Sequence, residues 1–149
     1  MQVHLNPPLE PGSAPRHAAA IVAAAADISG AALDYSPESL SLVEEIVDGF
    51  RAEGVTAEAM AESLAAFGCY VGEVLARRSG GGWKQVPGTG ATGVSLVVEL
   101  PDARECDPID WVVRRLSRGT DISIRDLCAA AERPYVAPVR RTQDAQSCD

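Results

Sequence analysis

Apolar positions along this chain repeat first at helical spacing and then at strand spacing, and the change of period organises it. Leu40, Val43, Ile46, Val47 and Phe50 fall on one helix face, and Met60, Leu64, Phe67, Val71 and Leu75 form a second continuous stripe. Ser36-Pro37-Glu38 opens the first of these helices with a hydroxyl cap, a proline at the first helical position and an acid at the positive end. Gly54 stops it. Thr56 is expected to cap the second helix, and the glycines at 80–82 to end it after Arg77 and Arg78, which complement the negative end. The link between the two is short, so they are expected to be antiparallel neighbours.

Beyond the glycines the period becomes two. Residues 83–86 form a short strand, Pro87-Gly88-Thr89-Gly90 turns the chain, and Val94, Leu96, Val98 and Leu100 alternate along a second strand. A hairpin alone is marginal, so it must pack on the helices or gain a third strand. Asp107-Pro108 begins another helix with Ile109, Val112, Val113 and Leu116 inward, closed by Gly119. A last short helix follows near 123–131 with Ile124, Leu127 and Cys128 inward.

At the other end, Ser13, Pro15 and the alanine-rich run 18–26 predict a helix closed by Gly30. Ile21, Val22 and Ile28 are its only large apolar groups, so its docking partner is not legible. Leu33-Asp34-Tyr35 reads as an extended lead-in. The expectation is a single α+β domain over residues 13–133: an antiparallel helix pair packed on a small antiparallel sheet, with additional C-terminal helices. Residues 1–12 read as a disordered arm. Residues 134–149 read as an extended or disordered tail, in which Tyr135 and Val136 offer a third strand or a clip onto the body.

Composition narrows the functional classes. The 149 residues are 46% hydrophobic, which supports one core, and only 5% aromatic. The net charge is −8 and uneven: residues 1–110 carry 6 Lys/Arg against 16 Asp/Glu, a balance of −10, and residues 111–149 carry 7 against 5, a balance of +2. An acidic body argues against nucleic acid, whose affinity comes from clustered Lys and Arg. Arg114, Arg115, Arg118 and Arg125 form the one place suited to docking a polyanion or an acidic partner; the plainer and preferred reading is a solvated helix face answering that acidic body. Cys69, Cys106, Cys128 and Cys148 form no C-x-x-C and have no histidine beside them, so no metal is expected. Cys69 and Cys128 read as small core residues and Cys148 as a loose tail thiol. With no signal-peptide pattern and no membrane-length apolar run, the reading is a cytoplasmic protein with reduced thiols.

The chemistry-bearing residues gather in Gly68-Cys69-Tyr70-Val71-Gly72-Glu73-Val74. Gly68 and Gly72 share a helix face and each costs about 1 kcal/mol against alanine, so something is expected to approach the backbone there: another helix or Trp83 on the preferred reading, a ligand on the sharper one. Glu73 lies nearly opposite the apolar stripe, beside Cys69, Tyr70 and Arg77. The plain reading is an i, i+4 pair with Arg77; the sharper one is a carboxylate buried under the hairpin against Trp83 or a ligand. The glycine-rich run 88–93 lacks the Lys-Ser/Thr of a phosphate loop, and there is no G-x-S-x-G.

Leu33-Asp34-Tyr35-Ser36-Pro37-Glu38-Ser39-Leu40, then Gly68-x-Tyr70-x-Gly72-Glu73-Val74, then Gly81-Gly82-Trp83 resemble a group of uncharacterised, high-GC, actinobacterial-like proteins. These carry an LDYS-x-x-SL helix start and a G-x-Y-x-GEV block followed by GG-x-W. The resemblance spans about residues 33–118, with Trp83 here following the glycines directly. It implies a recurring module of two helices and a hairpin and brings no activity, cofactor or catalytic residue.

Two functions follow as expectations. The preferred one is a non-catalytic interaction or regulatory module that binds a protein partner, or a second copy, through a sheet edge. The alternative is a small-molecule binder or enzyme with a pocket around Tyr70, Glu73, Arg77 and Trp83. A carboxylate paired to Arg77 counts against the alternative.

Overall fold

One helix, buried nearly all the way round, organises the fold. The computed structural model of the chain describes residues 10–87 and 94–133. In order it contains α1 (Ala14–Ser29), a 3-10 turn (Pro37–Ser39), α2 (Leu40–Ala52), α3 (Ala61–Ser79), β1 (Gly82–Pro87), β2 (Val94–Glu99), β3 (Glu105–Cys106), α4 (Pro108–Arg118), a second 3-10 turn (Gly119–Asp121) and α5 (Ile124–Glu132). The fold is α+β, with a three-stranded antiparallel sheet in the order β1-β2-β3.

Helix α3 is the buried helix. Phe67, Cys69, Tyr70, Val71, Val74 and Leu75 are each fully enclosed. Each large apolar side chain among them contributes about 1.5–3 kcal/mol of burial at most. The backbones closest to α3 are those of α1 and α4. Helix α1 approaches through Ala14, Ala18, Ile21 and Ala25, all fully buried and spaced along one face. Its alanines carry little area but let the two helix axes come close. The sequence does not name this partner, because an alanine stripe fits many surfaces. Helix α2 is therefore not the main neighbour of α3; it packs on α4 and α5 and touches α3 through Phe50, whose ring meets Phe67 edge-on at 6.2 Å.

The expected glycine stops are present: Gly30, Gly54 and Gly80 have φ of 70°, 75° and 80°. Ser36 accepts from the Ser39 N–H, Asp107 from the Asp110 N–H and Ser123 from the Asp126 N–H, which caps three helical segments as their types predict. Thr56 differs. Its hydroxyl accepts from the Ala59 N–H, closing a turn, and α3 begins only at Ala61. A third strand comes from β3, which pairs Val98 with Cys106 and Glu99 with Glu105. Tyr135, Val136 and Cys148, the 88–90 turn glycines and most of the N-terminal arm lie outside the described residues. On the sheet's helix-facing side Leu96, Val98 and Leu100 are buried.

Arg115 corrects the reading of the basic cluster. It is 6% exposed, not solvated. Its guanidinium donates to both carboxylate oxygens of Asp48 at 2.8 and 2.6 Å and to the Ile122 carbonyl at 2.7 Å, tying α4 to α2. Its neighbour Arg114 does face solvent and pairs with Asp110 at 2.7 Å.

Candidate functional site

Of the four residues singled out from the sequence, Glu73 and Arg77 of α3 meet Trp83 of β1 in one contact chain, and Tyr70 joins it through Tyr35. Glu73 accepts the Trp83 indole N–H at 3.2 Å through one carboxylate oxygen and pairs through the other with Arg77 at 3.4 Å. The plain reading of Glu73 holds, since it is paired one helical turn on with Arg77; its side chain, 12% exposed, also lies beside Trp83, but the Arg77 pair counts against a ligand pocket there. Arg77 then covers the ring of Tyr35 at 3.7 Å, a cation–π contact worth about 0.5–1 kcal/mol at such a surface position.

Tyr35 is the member that motif reasoning left out. It is not extended: its φ is 65°, uncommon for a residue with a large side chain. That backbone aims its N–H at the Tyr70 hydroxyl, 2.8 Å away, while the two rings tilt against each other at 5.0 Å. The Tyr70 hydroxyl also lies 2.6 Å from Ser39 Oγ, whose single proton goes to the Ser36 carbonyl at 2.6 Å. The chain therefore runs Tyr35 N–H to Tyr70 O–H to Ser39 O–H to Ser36 C=O, with every proton placed. The signal for Tyr35 was present in the sequence as its place immediately before a helix cap.

The electrostatics of this cluster disfavour charge on its hydroxyl and thiol groups. Burial pushes the Tyr70 phenol up, against the lowering effect of its bonds to Ser39 and Tyr35. Burial also raises the Tyr35 phenol. The Cys69 thiol is pushed up to about 12, first by burial and then by the Glu73 charge. A thiol held so firmly protonated is a poor nucleophile.

Both glycines of the block are accounted for by packing. A Cβ on Gly68 would stand 2.5 Å from the Ile109 backbone of α4, and one on Gly72 would overlap the Trp83 ring and reach 3.0 Å from Pro108. The bared backbone serves a helix at one point and the indole at the other.

Among the described residues, two depressions are lined by other residues. A depression of about 210 Å³ runs between Ser79, Leu100, Arg104 and Glu132. Its charges are engaged: Glu132 binds Arg78 at 2.9 Å, and Arg104 reaches the Arg133 carbonyl at 2.7 Å. A larger groove of about 560 Å³ opens between the end of α1 and the outer face of α2. Leu42, Ile46 and Phe50 floor it, Gly30 and Gly49 lie at its walls, and Glu45 and Glu53 rim it. Sequence reasoning missed this surface because Leu42 lies off the inward stripe of α2 and the opposite wall comes from a distant helix.

No described group of histidines, cysteines and acids has the arrangement of a metal site, and no described helix is long and apolar enough to cross a membrane. Comparison with protein-family models, with curated proteins and with solved structures gives no match.

Proposed function

We propose that this chain is a non-catalytic interaction module that holds a segment of a protein partner in the groove between α1 and α2. One contrast carries the reading. Around α3 the Glu73 carboxylate, the Trp83 indole and the Tyr70 hydroxyl are each bonded within the chain. In the groove, Glu45 and Glu53 rim an apolar floor and form no ion pair among the described residues. Polar groups already satisfied by the fold maintain its shape. Carboxylates left open beside partly exposed Leu42 and Ile46 are available to something else.

The sheet edge is the weaker route. β1 is an outer strand, but Lys84 reaches across to Glu99 at 3.3 Å and Glu105 at 2.8 Å, and Pro87 ends the strand. Lysine and proline on an edge discourage strand addition.

Photo-crosslinking from the native cell separates the two routes. A photoreactive residue at position 45 should give one discrete adduct that disappears when Gly49→Leu is added. An adduct from position 85 on β1 alone would contradict the groove reading, as would a co-purifying small molecule with no adduct from either position.

A further inference from the structure

We propose that the occupant of the groove is an amphipathic helix whose apolar side is flanked by lysine or arginine; this rests on the groove being the partner-binding surface. Three independent features of the groove point to that chemistry.

Gly49 lies inside α2, where a glycine costs about 1 kcal/mol relative to alanine. Nothing lies within 4 Å of the Cβ it lacks. The two glycines of α3 give the contrast, since a Cβ at either would strike Ile109 or Trp83. The chain uses a bare helical backbone for close approach twice, and in each case the approaching group is visible. At Gly49 the same device faces outward with its space empty.

The charge in the same place is mainly acidic. Glu53 is the C-cap of α2, at the negative end of that helix. Arg51, the cation of that last turn, lies instead against Gly119, where a Cβ would stand 3.2 Å from its guanidinium. Helix α1 also ends at the groove, through Gly30, with no cation in its last turn and Asp27 within it. Two negative helix ends and two open carboxylates therefore surround an apolar floor, and a cationic flank answers all of them.

The shape selects a helix over an extended segment. One wall is helix α2 and the other is the end of α1 with Gly30 and Ala31 beyond it, so no strand edge lines the groove to pair with a peptide backbone, whereas a helix satisfies its own. The stripe from Leu42 to Glu53 runs about 16 Å along α2, about three turns of a partner helix. Local rules broken together without internal compensation are the mark of a surface completed by a partner.

The test uses the full chain and synthetic peptides of about 18 residues, about five helical turns. One has a Leu/Ala face flanked by lysines, one is its glutamate-flanked twin, and one is the lysine peptide with a central proline. Fluorescence anisotropy should show the lysine peptide binding at least about tenfold more tightly than either control. Glu45→Lys with Glu53→Lys should reverse the preference between the charged twins. Gly49→Leu should weaken the lysine peptide about tenfold without lowering the melting temperature. If a control peptide binds equally well and Gly49→Leu still abolishes it, the cationic-helix inference falls and the groove reading stands. A second copy of this chain occupying the groove, seen as concentration-dependent mass lost in Gly49→Leu, likewise overturns the cationic helix and keeps the groove. If no binding responds to Gly49→Leu, both fall.

Discussion

Tyr70 contributes more through its hydroxyl than its position on α3 suggests, because that one group joins the left-handed Tyr35 backbone to the start of α2. Removing it with Tyr70→Phe leaves the Tyr35 N–H unpaired and breaks the link to Ser39. Urea unfolding should show a loss of about 1–3 kcal/mol, with the fold retained; a change below about 0.5 kcal/mol would mean water replaces the bond without cost. The buried thiols make a second residue-scale prediction. Cys69 and Cys128 are both pushed up to about 12, in each case first by burial. Their folded values lie above the usual value of about 9, so the folded state keeps its thiol protons to higher pH than the unfolded chain does. The stability they support is complete below about pH 9 and declines as pH rises from about 9 towards 12. Native protein treated with iodoacetamide near neutral pH should carry no label on either cysteine by mass spectrometry, and both should react once unfolded. At this scale the sequence is legible where one residue type has one strong reason to be present, as with Ser36, Asp107 and Gly80. It is less legible at Tyr35, whose positive φ is accompanied by contacts from a distant helix, the Tyr70 hydroxyl and ring and the Arg77 guanidinium, and at Arg115, whose burial depends on Asp48 arriving from α2.

Gly49, Gly68 and Gly72 make the same substitution informative at the scale of elements. Alanine improves helix propensity at each by about 1 kcal/mol. At Gly68 and Gly72 the new methyl meets the Ile109 backbone and the Trp83 ring, and overpacking of that kind costs about 1–3 kcal/mol or more. Gly68→Ala and Gly72→Ala should therefore lower the melting temperature, whereas Gly49→Ala should raise it by several degrees. A fall at Gly49 would show that the fold itself requires that glycine. The period change at the 80–82 glycines, the hairpin strands and the starts of α4 and α5 are all readable from spacing and caps. The place of α1 is not, because four small buried positions specify closeness without specifying a partner. The delayed start of α3 is not legible either: Thr56 has the right chemistry for a helix cap and closes an isolated turn with it.

Across the whole molecule, the block that gathers the most suggestive residues maintains shape, and the open chemistry lies on a face the motifs do not mark. Glu73, Arg77, Tyr35, Tyr70 and Trp83 join α3 to the segment before α2 and to β1. The groove exists only because the end of α1, placed by its contact with α3, stands beside the outer face of α2. Such a surface combines residues far apart in sequence, so no local pattern announces it. Titration of isotope-labelled protein with the lysine-flanked helical peptide, followed by amide and indole NMR signals, compares the two faces in one experiment. The Gly49 amide and its groove neighbours should shift first while the Trp83 indole N–H, bonded to Glu73, stays in place. Movement of the Trp83 indole with a silent Gly49 would contradict the groove as the binding face and return the function to the cluster on α3.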